Sequence, residues 1–269
     1  MYIRWCIILC SLLLYAPLHG VCQQAGAADS RKPVYVIGSE NIGYYPHYDF
    51  MNSEQPGYLS SLLKLFAEQY NLELVFVALP NKRLHLALEQ GVVDLAYPDN
   101  PNWGKKPVNR QLSKFYSQPI TQVLGGTIVH TRQKGKGLRE FKSLVVPFGF
   151  TPIKWQQRID QNEVRLVQVA DALKALELVQ RQRVSGADIE FHVAMHLIDT
   201  HPQLTNLTLD PGLPYDIVGF SISTYKHPEL LKQLDAFIAT HPNEILELKQ
   251  RYGLRSPKNI LEQQASPSP

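Results

Sequence analysis

The sequence predicts an α/β fold of two similar lobes joined by two extended crossovers. Two runs of alternating strand-like and helix-like segments, at residues 34–96 and 144–191, each indicate a largely parallel sheet with helices on both faces. Two long β-prone stretches, at residues 117–131 and 216–225, are predicted to be the crossovers. The chain of 269 residues is long enough for two such lobes.

The first run is predicted from changes of hydrophobic period along the chain. Leu59, Leu62, Leu63 and Phe66 recur at the spacing of one helical face, whereas the apolar segments on either side are short and strand-like. Gly91 follows a second helical segment, at a position where glycine commonly ends a helix. Strand, helix, strand, helix and strand are therefore predicted at residues 34–38, 58–70, 72–79, 84–90 and 92–96.

The second run follows a similar order. Thr151 and Pro152 predict a helix start, because threonine can cap free amides and proline fits the first helical turn. Strand, strand, helix and strand segments are predicted at residues 144–148, 164–169, 170–181 and 187–191. Two helices, at residues 228–239 and 242–252, are predicted to close the fold. The polar, Pro-rich residues 254–269 are predicted to form a disordered tail.

Residues 1–27 are predicted to be a signal peptide. Arg4 supplies the positive region, residues 5–18 are almost uniformly apolar, and small residues lead to a cut after Ala27. The apolar run is shorter than the roughly 20 residues that span a bilayer. An uncleaved anchor helix and a lipid-modified Cys22 are the alternatives, although Val21 fits lipoprotein processing poorly.

Composition excludes several classes of function. All three cysteines precede the predicted cut, so the exported chain would hold no disulfide, thiol nucleophile or cysteine-rich zinc site. The formal net charge is only +3 and basic residues do not cluster, which argues against nucleic acid as a partner.

Several short motifs follow one another along the chain: VIGSE at residues 36–40, YPHY at 45–48, LEQGVVDLA at 88–96, FYSQPI at 115–120, GFT at 149–151 and KQRYG at 249–253. In this order they resemble the motifs of solute-binding protein family 3, the amino-acid-binding group of type II periplasmic binding proteins. Their order and spacing carry the resemblance over nearly the whole predicted mature chain. The resemblance implies the two-lobed type II fold, with one lobe at residues 33–120 and 222–253 and the other at residues 121–221.

The resemblance also implies a function. The lobes would close, by hinge motion at the crossovers, on a small polar solute that is anionic or zwitterionic, with amino-acid-like solutes among the candidates. The protein would then be a periplasmic monomer without cofactor or catalysis that delivers its ligand to an inner-membrane ABC permease. Two alternatives stay open: a sensory module that presents ligand to a membrane receptor, and a dehydratase-like enzyme that uses a pocket carboxylate for proton transfer.

Arg110 and Thr151 are the candidates for binding a ligand anion. Arg110 lies seven residues before Ser117, which resembles the family spacing, and a guanidinium can bind a carboxylate through two hydrogen bonds. Lys105 or Lys106 could take this role instead. Thr151 would add its hydroxyl and the first helical amides.

Glu40 and Glu190 are the candidates for binding a ligand ammonium or hydroxyl group. Each follows or ends a predicted strand at the crevice, where open α/β sheets bind their ligands. Alignment with the family places Glu190 where an ammonium-binding acid commonly lies. The YPDNPNW segment at residues 97–103, however, replaces the family's hydroxyl-rich loop and departs from its pattern for α-amino acids.

Aromatic residues are candidates for stacking on an apolar part of the ligand. Tyr45 and Trp103 are preferred, with Tyr97 next to the same segment and Tyr44 as a further choice. His192 and His196 share a predicted helix face at a spacing that can hold zinc. Because no acidic or cysteine ligand accompanies them at a recognisable spacing, no metal site is predicted.

Overall fold

A computed structural model describes residues 32–103 and 112–265; the predicted signal peptide lies outside these ranges. No helix among the described residues is long and apolar enough to cross a membrane. The strands in these ranges are β1 (Val34–Glu40), β2 (Glu73–Leu79), β3 (Leu95–Asp99), β4 (Phe115–Tyr116), β5 (Thr121–His130), β6 (Ser143–Pro147), β7 (Arg165–Val169), β8 (Gly186–Glu190), β9 (Leu207–Leu209) and β10 (Asp216–Thr224). The helices are α1 (Gly57–Gln69), α2 (Asn81–Gln90), α3 (Gln156–Asp160), α4 (Ala172–Gln180), α5 (Phe191–Thr200), α6 (Pro228–Thr240), α7 (Pro242–Arg251) and α8 (Pro257–Ala265).

The strands pair in the order β2-β1-β3-β10-β5-β8-β6-β7, with β4 beside β10 and β9 beside β5. β1 is parallel to β2 and β3, and β6 is parallel to β7 and β8. We call β1–β3 the first half of the sheet and β6–β8 the second half. β5 and β10 run antiparallel to each other between the halves, so both predicted crossovers are extended strands at the centre of the sheet.

Helix α1 covers the first half with the residues whose spacing predicted it. Leu59, Leu62, Leu63 and Phe66 are all buried, whereas the opposite side of the helix is more exposed. Full burial of one such side chain contributes about 1.5–3 kcal/mol. The apolar face of α1 is therefore a large contribution to the stability of this half.

The last strand of the first half begins later than predicted. α2 ends at Gly91 in the left-handed conformation, with a φ of 70°, as the glycine indicated. Asp94 precedes the strand and is bound to β1 twice: its N–H donates to the carbonyl of Val36, and its side chain accepts a hydrogen bond from the N–H of Val36, both at 2.8 Å. β3 starts only at Leu95, and Tyr97 therefore lies in a strand rather than in a loop.

The prediction of a helix start at Thr151 is wrong. A 3-10 turn at Ile153–Trp155 precedes α3, and no side chain caps it. The backbone N–H of Ile153 donates to the carbonyl oxygen of Thr151 at 2.9 Å, so this amide needs no hydroxyl cap. The turn is fixed instead by Trp155, whose buried indole N–H donates to the hydroxyl of Thr127 at 3.2 Å.

The prediction of a disordered tail at residues 254–269 is wrong for Pro257–Ala265, which form α8. The Ser256 hydroxyl accepts a hydrogen bond from the N–H of Asn259, and Pro257 occupies the first helical turn. Ile260 is fully buried. The polar composition alone did not predict this short amphipathic helix, which packs on the core through the buried side chain of Ile260.

Candidate functional site

The loop after β1 is held rigidly against the start of α1. The N–H of Tyr58 donates to the carbonyl of Pro46, and the N–H of Leu59 donates to the carbonyl of His47. Gly57 has a φ of +86°, and a Cβ atom there would lie 2.7 Å from the Cα of Tyr48. Only glycine allows this close approach, which fixes the position of the His47 backbone.

Glu190 occupies the junction between β8 and α5. Its Oε2 accepts a hydrogen bond from the N–H of Val193 at 2.9 Å, so the side chain caps the helix. A negative charge is favoured at a helix N-terminus, where backbone N–H groups are unpaired. The strand and the cap together fix the carboxylate, and its side chain is only 2 % exposed.

Two histidines flank this buried carboxylate. Nδ1 of His192 hydrogen-bonds to Oε1 of Glu190 at 3.0 Å, and Nε2 of His47 lies 3.0 Å from Oε2. The His47 contact lacks hydrogen-bond geometry, and it would be an ion pair with a protonated imidazole. We call these three side chains the acid–imidazole cluster. It joins the loop after β1, in the first half, to β8 and α5 of the second.

The second nitrogen of His192 fixes the tautomer of that ring. Nε2 accepts a hydrogen bond from the backbone N–H of Arg255 at 2.9 Å and must therefore keep its lone pair. The proton of the ring then lies on Nδ1, which donates to Glu190. His192 is thus a neutral donor in this arrangement.

The environment of Glu190 favours its ionised form. Burial alone would raise the pKa of Glu190, but the charge contact with His47 and the hydrogen bond from His192 lower it from 4.5 to about 2. The carboxylate is therefore ionised at neutral pH despite its burial.

Potential ligand atoms of the three cluster residues lie within 4.8 Å of one another, a spacing that could hold a metal ion. A metal-binding histidine normally donates its other ring N–H to an acceptor, whereas Nε2 of His192 faces a donor. The cluster is consequently better suited to an internal ion pair than to a metal centre.

Aromatic rings surround the acid–imidazole cluster. Tyr44 lies 6.1 Å from Phe150 of the second half, between ring centroids. The Phe220 ring, on β10, lies 5.8 Å from His47 and 6.0 Å from Tyr97. These contacts close the space between the halves with apolar surface and lower the local dielectric around the cluster.

Two tyrosine hydroxyls are buried and, among the described residues, have no hydrogen-bond partner: that of Tyr97, which interacts with Glu190, and that of Tyr58, which interacts with Tyr97. Burial raises the pKa of Tyr97 well above its usual value, and Tyr58 and Glu190 add to the effect. Burial likewise raises the pKa of Tyr58. Both hydroxyls therefore keep their protons and can act as hydrogen-bond donors.

A second, partly buried ion-pair group includes Asp188, which lies two residues before Glu190 on β8. Nζ of Lys154 contacts Oδ1 of Asp188 at 2.6 Å and Oδ1 of Asp216 at 2.9 Å. Burial would lower the pKa of Lys154, but the two carboxylates raise it overall. We call these residues the lysine–aspartate group. They connect β8, the turn after residue 151 and the start of β10.

The structure brings some of the predicted site residues together. Glu190 is in the acid–imidazole cluster, and Tyr97 contacts the same Phe220 ring as His47. Glu40 is half-buried and contributes to the raised pKa of Tyr44 after burial and Glu190, so it lies near the cluster. Trp103 also contacts Phe220, at 5.9 Å.

Other predicted residues lie elsewhere. Tyr45 packs against His196 at 4.4 Å and Tyr252 at 6.0 Å, between ring centroids. Thr151 is exposed and caps no helix. Arg110, Lys105 and Lys106 lie outside the described residues.

Sequence reasoning did not single out His47, Tyr58 or Lys154 as functional. His47 stands within the YPHY motif, and its central position was a signal that could have been used. Lys154 carried no such signal, because its partners Asp188 and Asp216 are distant in the sequence and meet only through sheet pairing.

Comparison with solved structures identifies the architecture. The substrate-binding protein of an amino acid ABC transporter superposes with a TM-score of 0.62 at 16% identity, over 82% of this chain and 100% of the other. The chain has the periplasmic binding protein fold. A histidine kinase sensor domain similar to periplasmic binding proteins matches with a TM-score of 0.64 at 18% identity, over 83% and 97% of the two chains.

An ancestral amino-acid-binding protein, described as a precursor of cyclohexadienyl dehydratase, shares the periplasmic binding protein fold. It matches with a TM-score of 0.61 at 15% identity, over 81% of this chain and 95% of the other. No protein-family model matches the sequence, and no curated protein matches it significantly. At these identities the likeness concerns the fold, so function has to be argued from the site.

Proposed function

We propose that the protein binds a small polar solute between the two halves of its sheet and closes around it. The observation that carries this proposal is the acid–imidazole cluster, a buried charged group whose members come from both halves. The strength of a charge contact between the two halves depends on what occupies the cleft between them. β5 and β10, the strands that join the halves, would act as hinges.

Export and delivery complete the proposal. The predicted signal peptide would place the chain in the periplasm, and the solute would pass to an inner-membrane ABC permease. The solved substrate-binding protein of an amino acid ABC transporter supports this reading through its fold. The histidine kinase sensor domain supports a second candidate, in which the same closure signals to a membrane receptor.

The dehydratase-like alternative is weakened at Glu190. A group that transfers protons efficiently has a pKa near the working pH, whereas the pKa of Glu190 is lowered to about 2. Glu190 would remain an anion throughout a reaction at neutral pH. The lowered pKa therefore favours binding over catalysis by this carboxylate.

Thermal unfolding of residues 28–269 against amino acids, organic acids, polyamines and metal ions tests the proposal. A ligand that binds only the folded chain raises the unfolding midpoint by mass action. The Arg110→Ala variant should lose about tenfold in affinity, or about 1.4 kcal/mol, if Arg110 binds the ligand anion.

The matched control for Arg110→Ala is Arg139→Ala, which removes an exposed guanidinium that has no predicted role in binding. This control should bind as the unmodified chain does. A complete absence of midpoint shifts across all four classes would contradict solute binding. Equal losses in the two arginine variants would contradict a specific role for Arg110.

A further inference from the structure

The acid–imidazole cluster constrains the charge of the ligand. Both oxygens of the Glu190 carboxylate accept hydrogen bonds, as those of an ionised carboxylate do, and the side chain is almost fully removed from solvent. A buried charge is costly unless a group of opposite charge compensates for it. The identity of that compensating group decides whether Glu190 can also receive a cation from a ligand.

Of the two imidazoles at Glu190, only His47 can carry the compensating charge. A protonated His192 would place an N–H on Nε2, directly against the backbone N–H of Arg255. His47 meets no such donor: Nε2 faces the carboxylate, and Nδ1 has no hydrogen-bond partner within residues 32–103 and 112–265. Both nitrogens of His47 are therefore compatible with a bound proton.

We propose that His47 is an imidazolium held against Glu190 from within the chain, and that the cleft consequently takes an organic acid that carries no ammonium group. The claim about the ligand rests on the proposed function. Oε1 of Glu190 is bound by His192, and Oε2 by Val193 and His47. A ligand ammonium group would have to displace the imidazolium.

The other carboxylate of β8, Asp188, also has its own cation. Asp188 is paired with Lys154 at 2.6 Å. Neither carboxylate of β8 therefore lacks a compensating group, which disfavours amines and zwitterions as ligands at this strand.

The unpaired groups in the same region are donors. Nδ1 of a His47 imidazolium, the Tyr58 hydroxyl and the Tyr97 hydroxyl each hold a proton and have no partner in the described part of the chain. All three side chains are fully buried. Buried donors without acceptors are destabilising, and the oxygens of a carboxylate that enters as the halves open would satisfy them.

The proposed imidazolium at His47 can be tested without the natural ligand. His47→Ala should leave a space beside an uncompensated Glu190, which exogenous imidazole can fill as a cation. We expect imidazole to raise the unfolding midpoint of His47→Ala but not that of the unmodified chain. The double variant His47→Ala/Glu190→Gln is the matched control and should not respond.

If imidazole does not raise the unfolding midpoint of a folded His47→Ala variant, the proposed imidazolium at His47 is wrong. An equal rise in the double variant would contradict it as well. If His47→Ala does not fold, His47→Ser provides a second variant with a similar space and a polar side chain. The same responses are expected of it, and the same failures would count against the proposal.

The ligand class is tested with pairs of acids that differ only in the ammonium group: succinate and aspartate, glutarate and glutamate, 3-phenylpropionate and phenylalanine. For the pair that binds, we expect the unmodified chain to favour the plain acid at least tenfold, by calorimetric titration. His47→Ala should reduce or invert that preference, because an ammonium group can then approach Glu190.

If the unmodified chain prefers an amino acid to its plain acid by tenfold, the ligand is not an acid without an ammonium group. This conclusion holds whatever the result of the imidazole experiment. Binding of neither member of any pair would contradict the claim about organic acids. If the wider library also produced no shift, solute binding itself would fail. The imidazole result would still decide whether His47 compensates Glu190, so the two failures can be told apart.

Discussion

Two carboxylates that lie two residues apart on β8, those of Asp188 and Glu190, have pKa values shifted in opposite directions. Glu190 has a lowered pKa, to about 2, although burial opposes this. Asp188 has a raised pKa, because burial outweighs the attraction of Lys154. Burial thus acts in the same direction on both carboxylates, and the difference comes from their partners.

The number of partners explains the difference. Glu190 accepts hydrogen bonds from a backbone N–H and from His192 and lies 3.0 Å from His47, whereas Asp188 shares one lysine with Asp216. Carboxylates with several donors are held ionised in a buried site. The comparison also separates two roles: the lysine–aspartate group links strands around the second half, and the acid–imidazole cluster joins the halves.

The largest expected effect is on the lysine–aspartate group. Lys154→Met should destabilise the chain by about 3 kcal/mol, because it leaves the largely buried side chain of Asp188 without its cation. Urea unfolding measures this change. Lys174→Met is the matched control, since Lys174 pairs with Glu177 on an exposed helix face, and it should change stability by less than about 1 kcal/mol.

A Lys154→Met variant no less stable than the Lys174→Met control would show that the lysine–aspartate group contributes little. It would also remove the contrast between the two charged groups of β8.

The second-largest expected effect, that of Glu190→Gln, tests the contrast between the pKa values of Glu190 and Asp188. Glu190→Gln should reduce the unfolding free energy at neutral pH by on the order of 2 kcal/mol. Because the folded-state pKa is lowered, the contribution of Glu190 is present above pH 4.5 and is lost as the pH falls towards about 2. Urea midpoints measured from pH 7 to pH 2.5 should therefore show the two chains converging.

Asp188→Asn is the matched comparison for Glu190→Gln. The folded-state pKa of Asp188 is raised, so its contribution to stability is present at low pH and is lost as the pH rises. The gap between the unmodified chain and Asp188→Asn should narrow with rising pH, while the Glu190→Gln gap widens. Parallel pH profiles for the two variants would contradict the account.

The smallest effect concerns an unpaired hydroxyl. Tyr97→Phe should change stability by no more than about 0.5 kcal/mol, because the Tyr97 hydroxyl has no described partner to lose. Thr127→Val, which removes a hydroxyl bonded to Pro214 and Trp155, should cost about 1 kcal/mol or more. A larger loss from Tyr97→Phe than from Thr127→Val would reveal a bond that the hydroxyl makes.

The fold could be predicted because its signals are local. Hydrophobic periods placed α1 and β2, and glycine chemistry placed the end of α2. Local signals failed where a tertiary contact decided the outcome. The burial of Ile260 orders α8, and the hydrogen bond from Trp155 to Thr127 replaces a cap at Thr151.

The site was harder to predict, since its chemistry depends on pairing across the molecule. Glu190 could be proposed from its place at a strand end, but its partner His47 is far away in the sequence. The neutral state of His192 depends on a backbone N–H at Arg255, which no side-chain pattern records. Such contacts become visible only once the sheet order is known.

A double-mutant cycle between His47 and Glu190 tests the central claim most directly. Unfolding free energies of the unmodified chain, His47→Ala, Glu190→Gln and the double variant give the coupling between these two side chains. A buried charge pair predicts a coupling of about 1.5 kcal/mol or more. A coupling below about 0.3 kcal/mol would show that the two side chains act independently and would contradict the account.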